Sequence, residues 1–511
     1  MLQYLKANIK FFYKHYYLIT VLFILIVASI LRTYNFTHHF GLSSDSSRDI
    51  AIAKVSIEKH DLPLMGSYSS AGPFIFGPIF YWVLIVSYLI LPFTLWSPLI
   101  FFVLIGILNV YLIILIGKII KNNKLAITCG LLAATSPQLI SGSTELNQQT
   151  LVGFFTTAAV LFLVLFWKKK KFSFVFFSGI FIGTAISTHY QAINLLILIL
   201  TIPFLIVGRV KKISAIFIMA LGVIIPLTSL IIWDSQQEWA NLRNLLDYLL
   251  IGQYRIYVPN SWKLFLFNYL PHHWSHVAGG WPIVAFLLIL LVFLMNIIRF
   301  FWGKTDRINL VLLMTFAIMI IINRYYRGER LEGYMLYLSP FVILLSSWSI
   351  VHLIEFNKRF KHASYAVLLF IIIGNLYLAK DHIFSGTNQY QDVKNAINKL
   401  QQKYPSSNFT LYESGLNISH ASYTLSVILD DEKLLIQNGK PIGICQCDLE
   451  KSLAITIFDF DIVDLSNKNL KDPREEWRRI LPEDIYEPNV GWLSKGNLKS
   501  NFSLVKFIQG D

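Results

Sequence analysis

Charged side chains are scarce in this chain: they make up 14% of its 511 residues, where soluble domains carry about a quarter. A chain so poor in charge does not have water as its main solvent. Cysteine is scarce as well. Cys129, Cys445 and Cys447 are the only three, too few for a disulfide framework or a four-cysteine metal site. No A-x-A-like cleavage site follows the first apolar stretch, so residues 16–34 read as an uncleaved span, with Lys6, Lys10 and Lys14 on the cytoplasmic side. Acidic residues are outnumbered 30 to 44, a net charge of +14. The excess lies in short clusters between apolar stretches, a pattern that retains loops in the cytoplasm and gives no reason to expect a nucleic-acid partner.

Apolar residues fill the space that charge leaves. The chain is 55% hydrophobic and 15% aromatic, with a mean hydropathy of +0.55. Stretches near the roughly 20 residues of a span occur at 16–34, 74–92, 99–117, 125–142, 151–167, 172–188, 191–208, 213–232, 281–301, 308–323, 334–353 and 363–380. Basic clusters separate them at Lys118/Lys121/Lys124, Lys168 to Lys171, Arg209/Lys211/Lys212, Lys304/Arg307 and Lys358/Arg359/Lys361. If 74–92 crosses the membrane, every one of these clusters faces out while the N-terminal lysines face in. If it does not, all face the cytoplasm together. The expectation is therefore that 74–92 is interfacial or re-entrant, leaving about eleven spans with the N-terminus in and the C-terminus out. Residues 1–384 then form a transmembrane domain with its first outer loop at 35–98.

From about Ser385 the hydropathy falls, and 385–511 reads as a small α/β unit outside the membrane. It has an amphipathic helix at 390–403, strands at Phe409 to Tyr412 and Leu453 to Phe458, a helix at Pro473 to Ile480 and a strand near Phe502 to Phe507. It carries no catalytic motif.

Under this topology the outward loops hold the unusual polar residues. The first contains Asp45-Ser46-Ser47-Arg48-Asp49 at the start of a helical pattern. Asp45 fits an N-cap, where a carboxylate accepts free backbone N–H groups, and it fits an acid for chemistry. The second loop holds Glu145 and Asn147, which read equally as hydrated turn residues. The third holds His189, Tyr190 and Gln191, where an interfacial anchor is the plain alternative. The fourth holds Arg324, Arg327 and Arg330 on the side where arginine is disfavoured, and binding a phosphate supplies a reason for them.

In order and spacing these loops resemble the GT-C glycosyltransferases, in particular the family 39-like enzymes related to protein mannosyltransferases and to the lipid A aminoarabinose transferase. The residues that carry the resemblance are Asp45 to Asp49, His60-Asp61-Leu62-Pro63, Gly77-Pro78-Ile79-Phe80-Tyr81-Trp82, Ser136-Pro137 with Glu145 and Asn147, Gly183 to Gln191, and Arg324-Tyr325-Tyr326 ahead of Tyr337-Leu338-Ser339-Pro340. The lysine that often precedes the family's Pro-Pro-Leu-Tyr-Tyr-Trp motif is missing.

The resemblance implies a polytopic α-helical membrane protein of the plasma membrane, with its active site outside the cytoplasm. It also implies inverting transfer of a sugar from a polyprenyl-phosphate donor to a hydroxyl on a protein, glycan or lipid. Asp45 is then the general base and Glu145 the second acid. Arg48, Arg324, Arg327 and Arg330 are the candidates for donor phosphate. Asp49, Asn147, His189, Tyr190 and Gln191 are the candidates for substrate contact. A divalent cation, Mg²⁺ or Mn²⁺, would sit on Asp45 and Glu145. The competing readings are a flippase of lipid-linked saccharides, which needs polar groups through both halves of the membrane, and a polysaccharide polymerase or ligase using the long 233–280 loop.

Overall fold

The computed structural model of the protein describes residues 2–39, 44–69, 71–254, 261–303, 306–326, 332–356, 358–385, 389–412, 419–435, 439–445, 452–457 and 460–464. Arg327, Arg330, Cys447 and the segments expected at Pro473 to Ile480 and Phe502 to Phe507 lie outside the described residues.

Among the described residues eight helices are long and apolar enough to cross a membrane, or up to nine if one bent pair is a single span. Three shorter apolar helices accompany them, Ile79–Ile90, Phe172–Thr188 and Tyr190–Phe204. The bent pair is Asn123–Thr135 and Pro137–Thr144, at 55° to each other. Its break has a local cause. Pro137 has no N–H to continue the ladder, and Ser136 caps the second piece by accepting the Leu139 amide. The carbonyls freed at the break meet Arg32, which is fully buried and donates to Ala134 O at 3.3 Å and to Ala133 O at 3.4 Å. Its Nε also donates to Ser143 Oγ at 3.0 Å, so one side chain holds both halves of the broken helix. Helix Gly333–Glu355, almost wholly buried, runs through the middle of the bundle. Helices Phe172–Thr188 and Arg209–Ile224 touch backbone to backbone. A Cβ at Gly179 or Gly183 would collide with the carbonyl of Met219 or Val223, the small-residue packing that membrane helices favour.

The segment expected to be interfacial is helical only over Ile79–Ile90. Its 12 residues make about 18 Å of helix against a hydrocarbon core of roughly 30 Å. It is pinned at its start, where the Gly77 amide donates to Ser187 O at 2.8 Å and Trp82 Nε1 donates to Pro63 O at 2.8 Å. Gly77 is glycine because a Cβ there would press on the Ser187 side chain and stand 2.9 Å from the Ser187 carbonyl oxygen. Gly77→Ala is therefore expected to lower stability by about 1–3 kcal/mol through overpacking. Thermal unfolding in detergent, followed by tryptophan fluorescence, measures this, and an unchanged midpoint would contradict the contact.

After the last apolar helix comes the amphipathic helix Gln389–Lys403, buried along Val393, Ala396, Ile397 and Leu400. A four-stranded sheet follows, made of β1 (Phe409–Tyr412), β2 (Lys440–Cys445), β3 (Ser452–Ile457) and β4 (Phe460–Asp464) in the order β1-β2-β4-β3. β1 runs parallel to β2, and β4 is antiparallel to both β2 and β3. Helix Ser419–Asp431, between β1 and β2 in sequence, packs against helix Ser44–Glu58 of the first loop.

Candidate active site

Helix Ser44–Glu58 opens with a carboxylate in its first turn, Asp45, where the helix dipole favours negative charge. One turn on, Arg48 reaches back. Its Nη1 donates to Asp45 Oδ1 at 2.9 Å, while Nε and Nη2 reach Asp49 Oδ1 at 2.9 and 2.8 Å. Tyr81, from the short helix Ile79–Ile90, donates its hydroxyl to the same Asp49 oxygen at 3.2 Å. One guanidinium thus serves two carboxylates and leaves the group with a net negative charge. The two acids differ in access. The Asp45 side chain is 72% exposed, and that of Asp49 is 3% exposed.

Burial pushes the Asp49 carboxyl up to about 6, against the pull of Arg48. Burial opposes the Arg48 charge too, but Asp49, Tyr81 and Asp45 hold its guanidinium above the usual value. Arg48 is thus committed to the acids beside it.

Asp45, Arg48 and Asp49 line a polar cavity of about 80 Å³, shared with Asn147, Gln149 and His189. Next to it lies an apolar cavity of about 260 Å³, walled by residues such as Phe74, Tyr190, Leu245, Tyr248 and Tyr326. Ser69, Phe76, His189 and Tyr334 belong to both linings and separate the two spaces. His189 stacks on Phe76 and packs at a tilt against Tyr334, with ring centroids at 4.6 and 5.2 Å. Its Nδ1 accepts the Gln191 amide at 3.4 Å, which assigns the ring proton to Nε2. Burial lowers its pKa to about 3, so the imidazole is a neutral N–H donor and not a cation.

The other expected residues are distributed around these cavities. Tyr190 and Gln191 line the apolar one. The Tyr190 hydroxyl donates to Ile75 O at 2.6 Å and meets Asn241 Nδ2 at 3.1 Å. Asn241 fixes the Phe74–Phe76 segment further by accepting the Ile75 amide at 2.6 Å. Asn147 lines the polar cavity and also caps helix Gln148–Lys169, its Oδ1 accepting the Thr150 amide at 3.0 Å. Glu145 is exposed next to it, its Oε2 accepting from Asn147 Nδ2 at 3.2 Å. The loop supplies the polar cavity through Leu146 to Gln149. Arg324 lies at the end of helix Arg307–Tyr325, its guanidinium over the Tyr325 ring at 4.5 Å.

Among the described residues no three His, Cys, Asp or Glu side chains come together to hold a metal ion. Asp45 Oδ1 is already bound to Arg48, and Glu145 Oε2 to Asn147. Among the described residues this donor set does not by itself make a cation site. Sequence reasoning missed Tyr81 as the partner of Asp49, and missed Phe76, Tyr334 and Asn241. Tyr81 did stand in the Gly-Pro-Ile-Phe-Tyr-Trp motif, a signal that it is near the site but not of what it touches.

Residues 73–233 match the family described as dolichyl-phosphate-mannose-protein mannosyltransferase. No curated protein matches the chain in sequence. Among solved structures, ArnT from Cupriavidus metallidurans in the apo state aligns over 88% of this chain and 98% of its own length, at 13% identity and a TM-score of 0.57. The same protein bound to undecaprenyl phosphate aligns over 83% of this chain and 86% of its own length, also at 13% identity, with a TM-score of 0.52. The oligosaccharyltransferase AglB from Archaeoglobus fulgidus, in complex with an inhibitory peptide and a dolichol-phosphate, aligns over 82% of this chain at 12% identity and a TM-score of 0.54. The alignment spans 64% of the AglB chain. At such identities the structures speak for the fold, and the matched segment adds sequence over about a third of the length. Together they show that this chain has the fold of the membrane proteins ArnT and AglB and is similar over residues 73–233 to the mannosyltransferase family.

Proposed function

We propose that the protein transfers a sugar from a polyprenyl-phosphate donor to a hydroxyl acceptor on the extracytoplasmic side of the membrane, with inversion at the anomeric carbon. The observation that carries this reading is the pair of adjoining cavities, one acid-lined and polar, the other aromatic and apolar, meeting at His189, Phe76 and Tyr334. Such a pair suits a ligand with a polar head on an apolar tail. At about 260 Å³ the apolar space takes the isoprene units nearest the phosphate, with the rest of the chain in lipid.

In this reading the sugar lies in the polar cavity. Asp45, the accessible acid, takes the proton of the acceptor hydroxyl as its oxygen attacks the anomeric carbon. The bond from that carbon to the phosphate oxygen breaks, and the lipid phosphate leaves with the electron pair. Arg48 keeps Asp45 in position while Asp49 and Tyr81 hold Arg48. His189, neutral, donates a hydrogen bond at the boundary where the leaving phosphate gains charge. Arg324, with Arg327 and Arg330, supplies the positive charge for that phosphate, and Asn147, Tyr190 and Gln191 orient sugar and acceptor. Glu145, at the edge of the site, contacts the acceptor. The arrangement of basic clusters puts the N-terminus in the cytoplasm and the residues after Ser385, as an α/β unit, outside.

The test is transfer from radiolabelled polyprenyl-phosphate sugars, one sugar at a time, by membranes containing the protein against membranes lacking it. Product that depends on the chain supports the reading. Failure with every donor, from folded protein, rejects it.

A pH dependence follows. Asp49 titrates near 6, and its protonation removes half of what holds Arg48. Transfer is therefore expected to fall as pH drops through about 6, with that limb absent in Asp49→Asn. The raised value also means that Asp49 itself favours the folded state most below about pH 4, and that this contribution is lost as pH rises through about 6. No limb is expected from His189. An acid limb that survives in Asp49→Asn would assign it to another group.

A further inference from the structure

Two contacts one heptad apart join the acidic helix to the far end of the chain. Ser47 Oγ meets Thr424 Oγ1 at 3.4 Å, and Lys54 Nζ meets Asp430 Oδ2 at 3.1 Å and Asp431 Oδ1 at 3.6 Å. Ser47 and Lys54 are seven residues apart, as are Thr424 and Asp431, so each pair lies on one helix face and the two helices run in the same direction. Ser47 and Thr424 are completely buried. The Lys54 side chain is 8% exposed, and its ammonium also stands 5.7 Å from the centre of the Phe93 ring. Asp431 Oδ1 has a second duty, accepting the Leu95 amide at 2.7 Å just before helix Trp96–Ile120. Three segments of the chain therefore converge on one buried ammonium.

Apolar contact alone would dock these helices, since Ile50, Ala53, Leu425 and Ile428 are all buried. A lysine is costly to bury unless it is paired, and apolar faces tolerate sliding where a charge pair does not. Turning about 100° per residue, the helix directs Asp49 well away from the face that bears Ser47 and Lys54. Asp49 meets Tyr81 of the membrane part, and Lys54 meets helix Ser419–Asp431.

We propose that Lys54 is a positioning residue for the transfer reaction: its ion pairs to Asp430 and Asp431 fix the register of the acidic helix, making helix Ser419–Asp431 a working part of the active site. The proposal rests on the transferase reading above for its reaction, and on the heptad-spaced contacts for its geometry.

The experiment uses the full chain in nanodiscs, with Lys54→Met, Asp431→Asn, the double variant and Lys54→Arg. Hydrogen exchange of peptides within residues 44–58 and steady-state transfer are both measured. Lys54→Met and Asp431→Asn are each expected to speed exchange in 44–58 by roughly tenfold or more. They should also lower kcat roughly tenfold to a hundredfold with donor KM nearly unchanged, because the acids are displaced and binding groups elsewhere are not. The double variant should be no worse than the worse single variant, and Lys54→Arg should recover most of both losses. Unchanged exchange overturns the clamp. Faster exchange with unchanged kcat overturns its positioning role and leaves a stability contact. If the wild type transfers no sugar from any donor, the transferase reading fails, and the exchange arm still decides whether Lys54 holds the helix. Should Lys54→Met not fold, Asp430→Asn and Asp431→Asn carry the same comparison.

Discussion

Asp45→Asn is expected to lower kcat by roughly 10²–10⁴-fold, the usual contribution of a positioned general base, while the protein folds and enters the membrane as before. The asymmetry between the two acids makes both halves of this expectation. The Asp45 side chain is 72% exposed, so its environment has little to lose when the charge goes. An asparagine oxygen still accepts the hydrogen bond from Arg48 Nη1, and the side chain keeps its shape. What goes is the ability to take a proton. Asp49→Asn behaves differently, because that carboxylate is buried and Arg48 depends on it. Loss of activity there should come with loss of stability. Measuring kcat and thermal unfolding for both variants separates the roles. If Asp45→Asn keeps full transfer while Asp49→Asn abolishes it without destabilising the fold, the base is Asp49 and the assignment is reversed.

The membrane part of this architecture is readable in sequence because lipid imposes one demand on every span. A run near 20 apolar residues has few alternatives, and the stretch 151–167 lies within the observed helix Gln148–Lys169. Past Ser385 the constraint weakens. Helix Gln389–Lys403 keeps a strong apolar stripe and shows itself. β2 reads Lys-Pro-Ile-Gly-Ile-Cys, with a proline and a glycine that a strand pattern disfavours, and helix Ser419–Asp431 begins among small polar residues.

At the site, sequence supplies the residue types and withholds the partners. Asp45, Arg48, Asp49 and His189 stand out as polar groups where spans should end. Arg48 reads naturally as a phosphate ligand. Only folding reveals that two carboxylates and a tyrosine hydroxyl already occupy its surroundings, the tyrosine arriving from 32 residues beyond Asp49. Lys54 looks like an ordinary solvated lysine on an amphipathic helix, because its partners lie 376 and 377 positions later in the chain. The apolar cavity has no motif at all, since Phe74, Tyr190, Leu245 and Tyr326 come from four separate segments.

Arg48→Met is expected to cost about 3–5 kcal/mol of stability, the usual loss when one partner of a buried ion pair is removed. It should also abolish transfer. Asp49 is 3% exposed, and without the guanidinium it is left with the Tyr81 hydroxyl beside it; an isolated charge in such a setting is relieved by taking up a proton. Asp45 loses its tether in the same step. Arg48→Lys should recover only part of either property. The guanidinium reaches Asp45 through Nη1 and Asp49 through Nε and Nη2, and a single ammonium cannot span both directions. The informative variant is Arg48→Met combined with Asp49→Leu, which removes the pair and leaves no orphaned charge. Replacing a buried pair by apolar side chains is often neutral for stability, so the double variant should unfold near the wild-type midpoint. It should still be inactive, because Asp45 is no longer held. Recovery of stability without recovery of transfer assigns the ion pair to orienting the base. Recovery of both would show that Asp45 needs no tether and would remove Arg48 from the catalytic arrangement.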